Sequence, residues 1–221
     1  MQNWVRANKG FLLFMFLFGV FRTAVADWNP IPSASMRPNL LEGDVVLVNR
    51  LAYDIKVPLT DVVVTRLGDP QRGDVVTFSA PDGTHMIKRV VALPGDVVEL
   101  RNERLYINGE GASYALRDEA LEAFADAHTP ALRLDETVAG STRRIQVMPD
   151  VDAARNFGPV TVPRDAFLML GDSRDNSVDS RYYGFVPRHR LIGRAERVLV
   201  SADIGGNWMP RTERFGQSLR R

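Results

Sequence analysis

The chain has 221 residues, 45% of them hydrophobic, and a formal net charge of +1. That is enough apolar material for one compact domain carrying an inserted segment, and the near-neutral balance argues against a nucleic-acid partner. Cysteine is absent, which excludes a disulfide framework and thiolate metal sites while permitting an oxidising compartment.

Gly10 to Phe21 reads G-F-L-L-F-M-F-L-F-G-V-F, preceded by Arg6 and Lys9 and closed by Arg22. This run is shorter than the roughly 20 residues of a membrane span, and Ala24-Val25-Ala26 beyond it has the small-residue pattern of a cleavage site. Against cleavage, Arg22 sits where such a site is normally uncharged, and cutting after Ala26 would leave Ser35 near a frayed terminus. Trp4 and Trp28 bracket the run like interfacial aromatics, and Arg22 is placed to snorkel. We therefore read residues 1–28 as a cytoplasmic stub and an uncleaved N-terminal transmembrane helix. Positive charge before the span puts the N-terminus in the cytoplasm and residues 28–221 outside it, with the lipid bilayer as a partner.

Ile31 to Leu41 reads I-P-S-A-S-M-R-P-N-L-L. Prolines at 32 and 38 predict an extended backbone with no helix, so Ser33 and Ser35 should face one side and Ala34 and Met36 the other. A solvated Ser/Pro loop is the ordinary explanation of such a pair. What argues otherwise is Lys88. The chain has only three lysines, Lys9, Lys56 and Lys88, among 28 Lys plus Arg, and Lys88 lies in the β-branched run M-I-K-R-V-V-A-L-P-G-D, which reads as a buried strand. A desolvated lysine can lose its proton and act as a base where arginine cannot. A serine hydroxyl needs such a base to become a nucleophile, and Ser-Lys is one recognised form of that pair.

Gly-Asp-Val-Val occurs at 43–46, 73–76 and 95–98, each a turn opening a strand. The uneven spacing indicates recurring turn chemistry and not a repeat fold. Alternation on both sides of Asn102-Glu103 predicts a hairpin over 97–109, with further strands at 45–48, 62–66, 75–78, 86–93, 160–162, 166–170 and 196–201. The whole predicts a mainly β chain, a partly closed barrel or sandwich, with its core in residues 29–108 and 161–221. Residues 109–160 have the texture of an inserted α+β subdomain, in which Leu116, Ala120 and Phe124 at i, i+4, i+8 predict a helix over 114–127.

Gly171 to Arg181 reads G-D-S-R-D-N-S-V-D-S-R, with an Asp/Arg spacing that suggests a network of mutually satisfied groups. A calcium loop would need an acid or amide where Arg174 stands. His85 lies near Lys88, but strand alternation puts the two on opposite faces, and His128 and His189 read as surface residues.

Four segments in order, P-S-A-S-M-R-P-N-L (32–40), R-G-D-V-V-T-F (72–78), I-K-R-V-V-A-L-P-G-D (87–96) and G-D-S-R-D-N-S-V-D-S-R (171–181), resemble bacterial type I signal peptidases, the membrane-bound Ser-Lys endoproteases. The resemblance implies Ser35 as nucleophile, Lys88 as general base, Ser33 in the oxyanion hole beside the Ser35 N–H, and Ser177 orienting the amine. Asp172, Arg174, Asp179 and Arg181 would brace the site, with Arg89 partnering an aspartate. It implies signal-peptide-bearing preproteins as substrates, cut after small residues, no cofactor, no metal, and a place in the bacterial cell membrane facing outward. Ala34, Asn39 and Ser173 depart from the commonest family residues, glycine, threonine and asparagine. Ile31, Met36, Leu40 and Ile87 would supply apolar pocket walls, and an extended substrate would add a strand near 86–88. The arginine-rich stretch 188–221, with Trp208 and Met209, would rest on anionic lipid. A specialised processing peptidase, a self-cleaving repressor without its DNA-binding helices, and an inert membrane-tethered peptide-binding module are the alternatives.

Overall fold

β-branched and aromatic runs punctuated by Gly and Asp dictate short strands, and the computed structural model, which describes residues 2–60, 62–125 and 127–220, is built mainly of them. Helices α1 (Gln2–Ala7) and α2 (Lys9–Ala24) open the chain. β1 (Ala26–Pro30), a 3-10 turn at Ala34–Met36, β2 (Asp44–Asn49), β3 (Asp54–Lys56), β4 (Val63–Arg66), β5 (Val75–Ser79) and β6 (His85–Ala92) follow. Next come β7 (Val97–Arg101), β8 (Arg104–Ile107), β9 (Glu110–Gly111), β10 (Ser113–Phe124), β11 (Ala127–Val138) and β12 (Ser141–Val147). The chain closes with β13 (Phe157–Thr161), β14 (Ala166–Leu170), α3 (Ser180–Tyr183), β15 (Val186–Pro187) and β16 (Leu191–Ser201).

Seven strands form one sheet in the order β1-β2-β16-β5-β6-β14-β15, with β10-β11-β12, β13-β7-β8-β9 and β3-β4 as smaller sheets. The large sheet is open at both edges. Of the partly closed barrel or sandwich expected from the sequence, the mainly β character holds, and the large sheet does not close into a barrel among the described residues. β6 lies inside the sheet, with Val76 opposite Lys88 and Val75 opposite Arg89. Its successive residues Val90 and Val91 join two different clusters of buried side chains, and the strand is buried from Lys88 onward, although His85 at its start is exposed. A lysine on this strand is withdrawn from water as a consequence.

The three Gly-Asp turns share one hydrogen-bond scheme. Asp44, Asp74 and Asp96 donate their N–H to the carbonyls of Leu41, Gln71 and Leu93 at 3.0, 3.1 and 3.0 Å. Their carboxylates accept the N–H of the same three residues at 2.8, 3.0 and 2.7 Å. The glycine takes a positive φ in each copy, 88°, 95° and 88°, as the third position of a type II turn demands.

Three expectations are corrected. Residues 113–124 form β10 and not a helix; Asp126, within the predicted window, lies outside the described residues. Pairing with β11 along its whole length overrides the A/E/R-rich local preference, and the segment is β where α+β was expected. The transmembrane helix becomes α2, 16 residues long. It rises about 24 Å against roughly 30 Å of hydrocarbon, and among the described residues no helix is long and apolar enough to cross a membrane. Arg22 does not extend away; it lies over the Trp28 ring at 4.6 Å and pairs with Asp27 at 2.7 Å.

The turn glycines generate a test. Gly95→Ala, where an added Cβ meets nothing within 4 Å, should cost about 1–3 kcal/mol from the positive φ alone. Gly43→Ala should cost more, since its Cβ would lie 2.1 Å from the Ala202 carbonyl oxygen; urea unfolding of both variants checks the order.

Candidate active site

Ser35 lies in the 3-10 turn Ala34–Met36, closed by the Arg37 N–H donating to the Ala34 carbonyl at 3.0 Å. The extended backbone expected here is thus corrected: Ser33 is extended, but the chain coils immediately after it. The turn, and not strand alternation, brings the hydroxyls of Ser33 and Ser35 to 3.3 Å. Lys88 Nζ donates to Ser35 Oγ at 2.6 Å. Both residues are buried, with 8% and 5% of their surface exposed.

Burial pushes the Lys88 amine down to about 8, although Asp179 and Asp172 pull it the other way; Arg181 adds to the depression. An amine that sheds its proton near pH 8 is a usable base, and the shift from 10.5 represents about 3 kcal/mol of disfavoured charge at neutral pH.

The polar loop 171–181 folds around this pair. Arg89 forks onto Asp172 with two 2.7 Å bonds, Nε to Oδ1 and Nη2 to Oδ2. Arg181 forks onto Asp179 at 2.8 and 2.8 Å, and Asp179 Oδ2 also accepts the Gly171 N–H at 3.0 Å. The Ser173 N–H donates to the Ser35 carbonyl at 3.1 Å, so the loop holds the backbone that carries the hydroxyl. Gly171 allows this approach: a Cβ there would lie 2.2 Å from Ser177 Oγ and 2.6 Å from the Ser35 carbonyl oxygen.

Not every predicted residue lies as the sequence suggested. Ser177 is buried, but its hydroxyl has no hydrogen-bond partner. Arg174 finds its carboxylate outside the loop, in Glu136 of β11, which it grips at 2.9 and 2.6 Å. Ile31, Met36 and Leu40 are packed into the core against Val46, Val48 and Leu219 and are corrected from pocket walls to its support; Ile87 stays half-buried. His85, His128 and His189 are exposed.

Sequence reasoning missed Glu136 and Arg143, and noted Asn39 only as a departure from the commonest family residue. Asn39 Nδ2 donates to Asp172 Oδ2 and to the Arg144 carbonyl, both at 2.7 Å. Glu136 is fully buried and also accepts from Arg143 Nε at 2.6 Å. Burial would raise its carboxyl, but Arg174 and Arg143 bring it down to about 2. The available signal was its place in the alternating series Leu132, Leu134, Glu136, Val138, an acid on an apolar strand face. Among the described residues no group of three or more His, Cys, Asp and Glu side chains converges as a metal site would require.

A mainly β chain with a serine hydroxyl and a buried amine in contact has the arrangement that a serine hydrolase with a lysine base would need. The model of the family "Signal peptidase, peptidase S26" matches residues 1–200. Signal peptidase I of Pseudomonas fluorescens is 37% identical over 213 residues, 89% of this chain and 72% of the relative. The Pseudomonas aeruginosa signal peptidase I matches with the same identity and coverage. A solved signal peptidase I from Enterococcus faecalis is 28% identical and covers 58% of this chain and 97% of its own, with a TM-score of 0.35. The chain belongs to the signal peptidase family, peptidase S26.

The depressed Lys88 pKa carries a stability signature. Between about pH 8 and 10.5 the unfolded chain holds a proton that the folded one has released, so stability rises with pH across that window. The wild type should gain roughly 2–3 kcal/mol between pH 7 and pH 10 relative to Lys88→Met, as read by urea unfolding.

Proposed function

We propose that this protein is a serine endopeptidase that removes N-terminal signal peptides from exported preproteins, with Ser35 as nucleophile and Lys88 as general base. The observation that carries this reading is the 2.6 Å contact between the buried Lys88 Nζ of β6 and Ser35 Oγ on its turn. The neutral amine takes the Ser35 proton as Oγ bonds to the scissile carbonyl carbon. The resulting oxyanion is met by the Ser35 N–H and the Ser33 hydroxyl. The lysine then gives its proton to the leaving amine, the peptide bond breaks, and an acyl-enzyme remains. Water attacks the ester with the same amine as base, releasing the acid and restoring the serine. Ser177, whose buried hydroxyl has no partner, would orient the lysine.

The substrate would enter extended. β14 pairs with β6 only from Arg89 onward, so among the described residues His85–Lys88 has β5 on one side and an unpaired edge on the other. A peptide strand added there would bring its scissile bond to Ser35, and Ile87 beside it favours small apolar residues, in keeping with cleavage after A-x-A. Residues 29–108 and 161–221 would form the catalytic core and 109–160 an inserted subdomain. The exposed Phe11, Phe14, Phe16, Phe18 and Phe21 of α2 would seat in the bacterial cell membrane, with the core on its outer face and Trp208 and Met209 near the headgroups.

Purified protein should cleave a precursor peptide, whereas Ser35→Ala and Lys88→Ala should lose roughly 10³-fold or more. Lys88→Arg should be equally inactive, because guanidinium stays protonated. Equal cleavage by all of them would refute the Ser-Lys reading. Ser33→Ala should lower kcat about 10²- to 10³-fold. Wild-type activity should climb as pH rises through about 8, following deprotonation of Lys88.

A further inference from the structure

The small sheet β10-β11-β12 touches both the turn that carries Ser35 and the polar loop packed against it. On one side Glu122 of β10 pairs with Arg37, two residues beyond the serine, and with Arg133 of β11 at 2.8 Å. On the other, β12 runs against the polar loop. The Gln146 N–H donates to the Asp172 carbonyl and the Arg174 N–H to the Gln146 carbonyl, both at 2.8 Å, and Met148 N–H donates to Asp175 Oδ2 at 2.6 Å. Glu136 lies at the centre of this second contact. Its carboxylate receives both arms of Arg174, Arg143 Nε, and the Tyr114 hydroxyl at 2.9 Å.

We propose that Glu136 is a positioning residue for peptide cleavage: it fixes Arg174, and through Arg174 the loop backbone that holds Ser35 and the Asp172–Arg89 pair beside Lys88. The path is short. Arg174 follows Ser173, whose N–H holds the Ser35 carbonyl, and Ser173 follows Asp172, whose carboxylate is forked by Arg89, the residue after Lys88. The fork onto Glu136 sets the direction of the Arg174 side chain as well as its distance. The Arg174 carbonyl is held in turn by Arg181 Nη2 at 2.5 Å, so the loop is pinned at both ends of that residue. Stability alone is a weak reason for the arrangement. One carboxylate faces two guanidiniums, and Nη1 and Nη2 of Arg143 are buried without a partner. Buried ion triads of this kind are often replaced by apolar side chains with no loss of stability. What an apolar replacement cannot supply is the fork.

This inference rests on the Ser-Lys reading above, and one assay separates the two. A precursor peptide is digested by wild type, Ser35→Ala, Glu136→Gln, a triple variant (Glu136→Leu, Arg143→Met, Arg174→Met) and Glu119→Gln, which alters an exposed acid of β10. Melting temperature, kcat, KM and the pH dependence of kcat are recorded for each. Glu136→Gln should lose about 10- to 100-fold in kcat, the scale of a misplacement near 1 Å, with KM nearly unchanged. Its acidic limb should move to higher pH as water reaches the loosened lysine. The triple variant should melt near wild type and stay slow, and Glu119→Gln should match wild type. Wild-type kcat and pH limb in Glu136→Gln or in the folded triple variant would overturn the proposal. If Glu136→Gln does not fold, the triple variant decides; if neither folds, the group is structural and the proposal is overturned. Absence of cleavage by wild type, or equal cleavage by Ser35→Ala, would instead remove the Ser-Lys reading.

Discussion

The structure turns on an amine kept away from water. Lys88 stands where its strand becomes buried, touches the Ser35 hydroxyl, and has two carboxylates near enough to draw its proton affinity back up. Those carboxylates would defeat the arrangement if they were free. They are not free: Asp172 is bound by Arg89 and Asp179 by Arg181, each through a two-point fork. Burial therefore outweighs the residual attraction, and the amine stays within reach of neutrality. The arginines of the polar loop and of β6 serve as charge balance for a base they do not touch.

Much of this was legible in the chain. The strands at 45–48, 75–78 and 166–170 follow from compact β-branched or apolar runs, and the Asn102-Glu103 turn follows from alternation on each side; the structure has strands at the first three places and a turn between β7 and β8 at the last. Ser35 and Lys88 were conspicuous as residue types, one in a proline-bracketed run and the other a rare lysine on an apolar strand. The geometry that joins them was less legible. Ser33 and Ser35 converge through a coiled turn where flanking prolines suggested extension, a turn closed locally by the Arg37 N–H and held from outside by the distant polar loop.

The hardest region to read was 113–147. Apolar residues at Leu116, Ala120 and Phe124 fit a helical period, but long-range pairing with β11 decided, and a bulge between Leu116 and Asp118 puts Leu116 out of step with the other two. Pocket walls failed for a related reason. Met36 and Leu40 are near the nucleophile in sequence, yet they are fully enclosed, so proximity along the chain did not translate into exposure. Glu136 stood out only as an acid on an apolar strand face; its partner Arg174 lies 38 residues away, and nothing in either local sequence names the other.

The pairing of β1 with β2 bears on self-destruction. The chain carries a small-residue run of its own, Ala24-Val25-Ala26, from the end of α2 to the first residue of β1, and a protease of the proposed specificity must not digest its siblings there. Ala26 pairs with Asn49, and the Val25 carbonyl already receives the Arg50 N–H at 3.0 Å. A backbone committed to its neighbour cannot also be offered to another molecule's cleft, so the same ladder that anchors the sheet also keeps this bond out of reach.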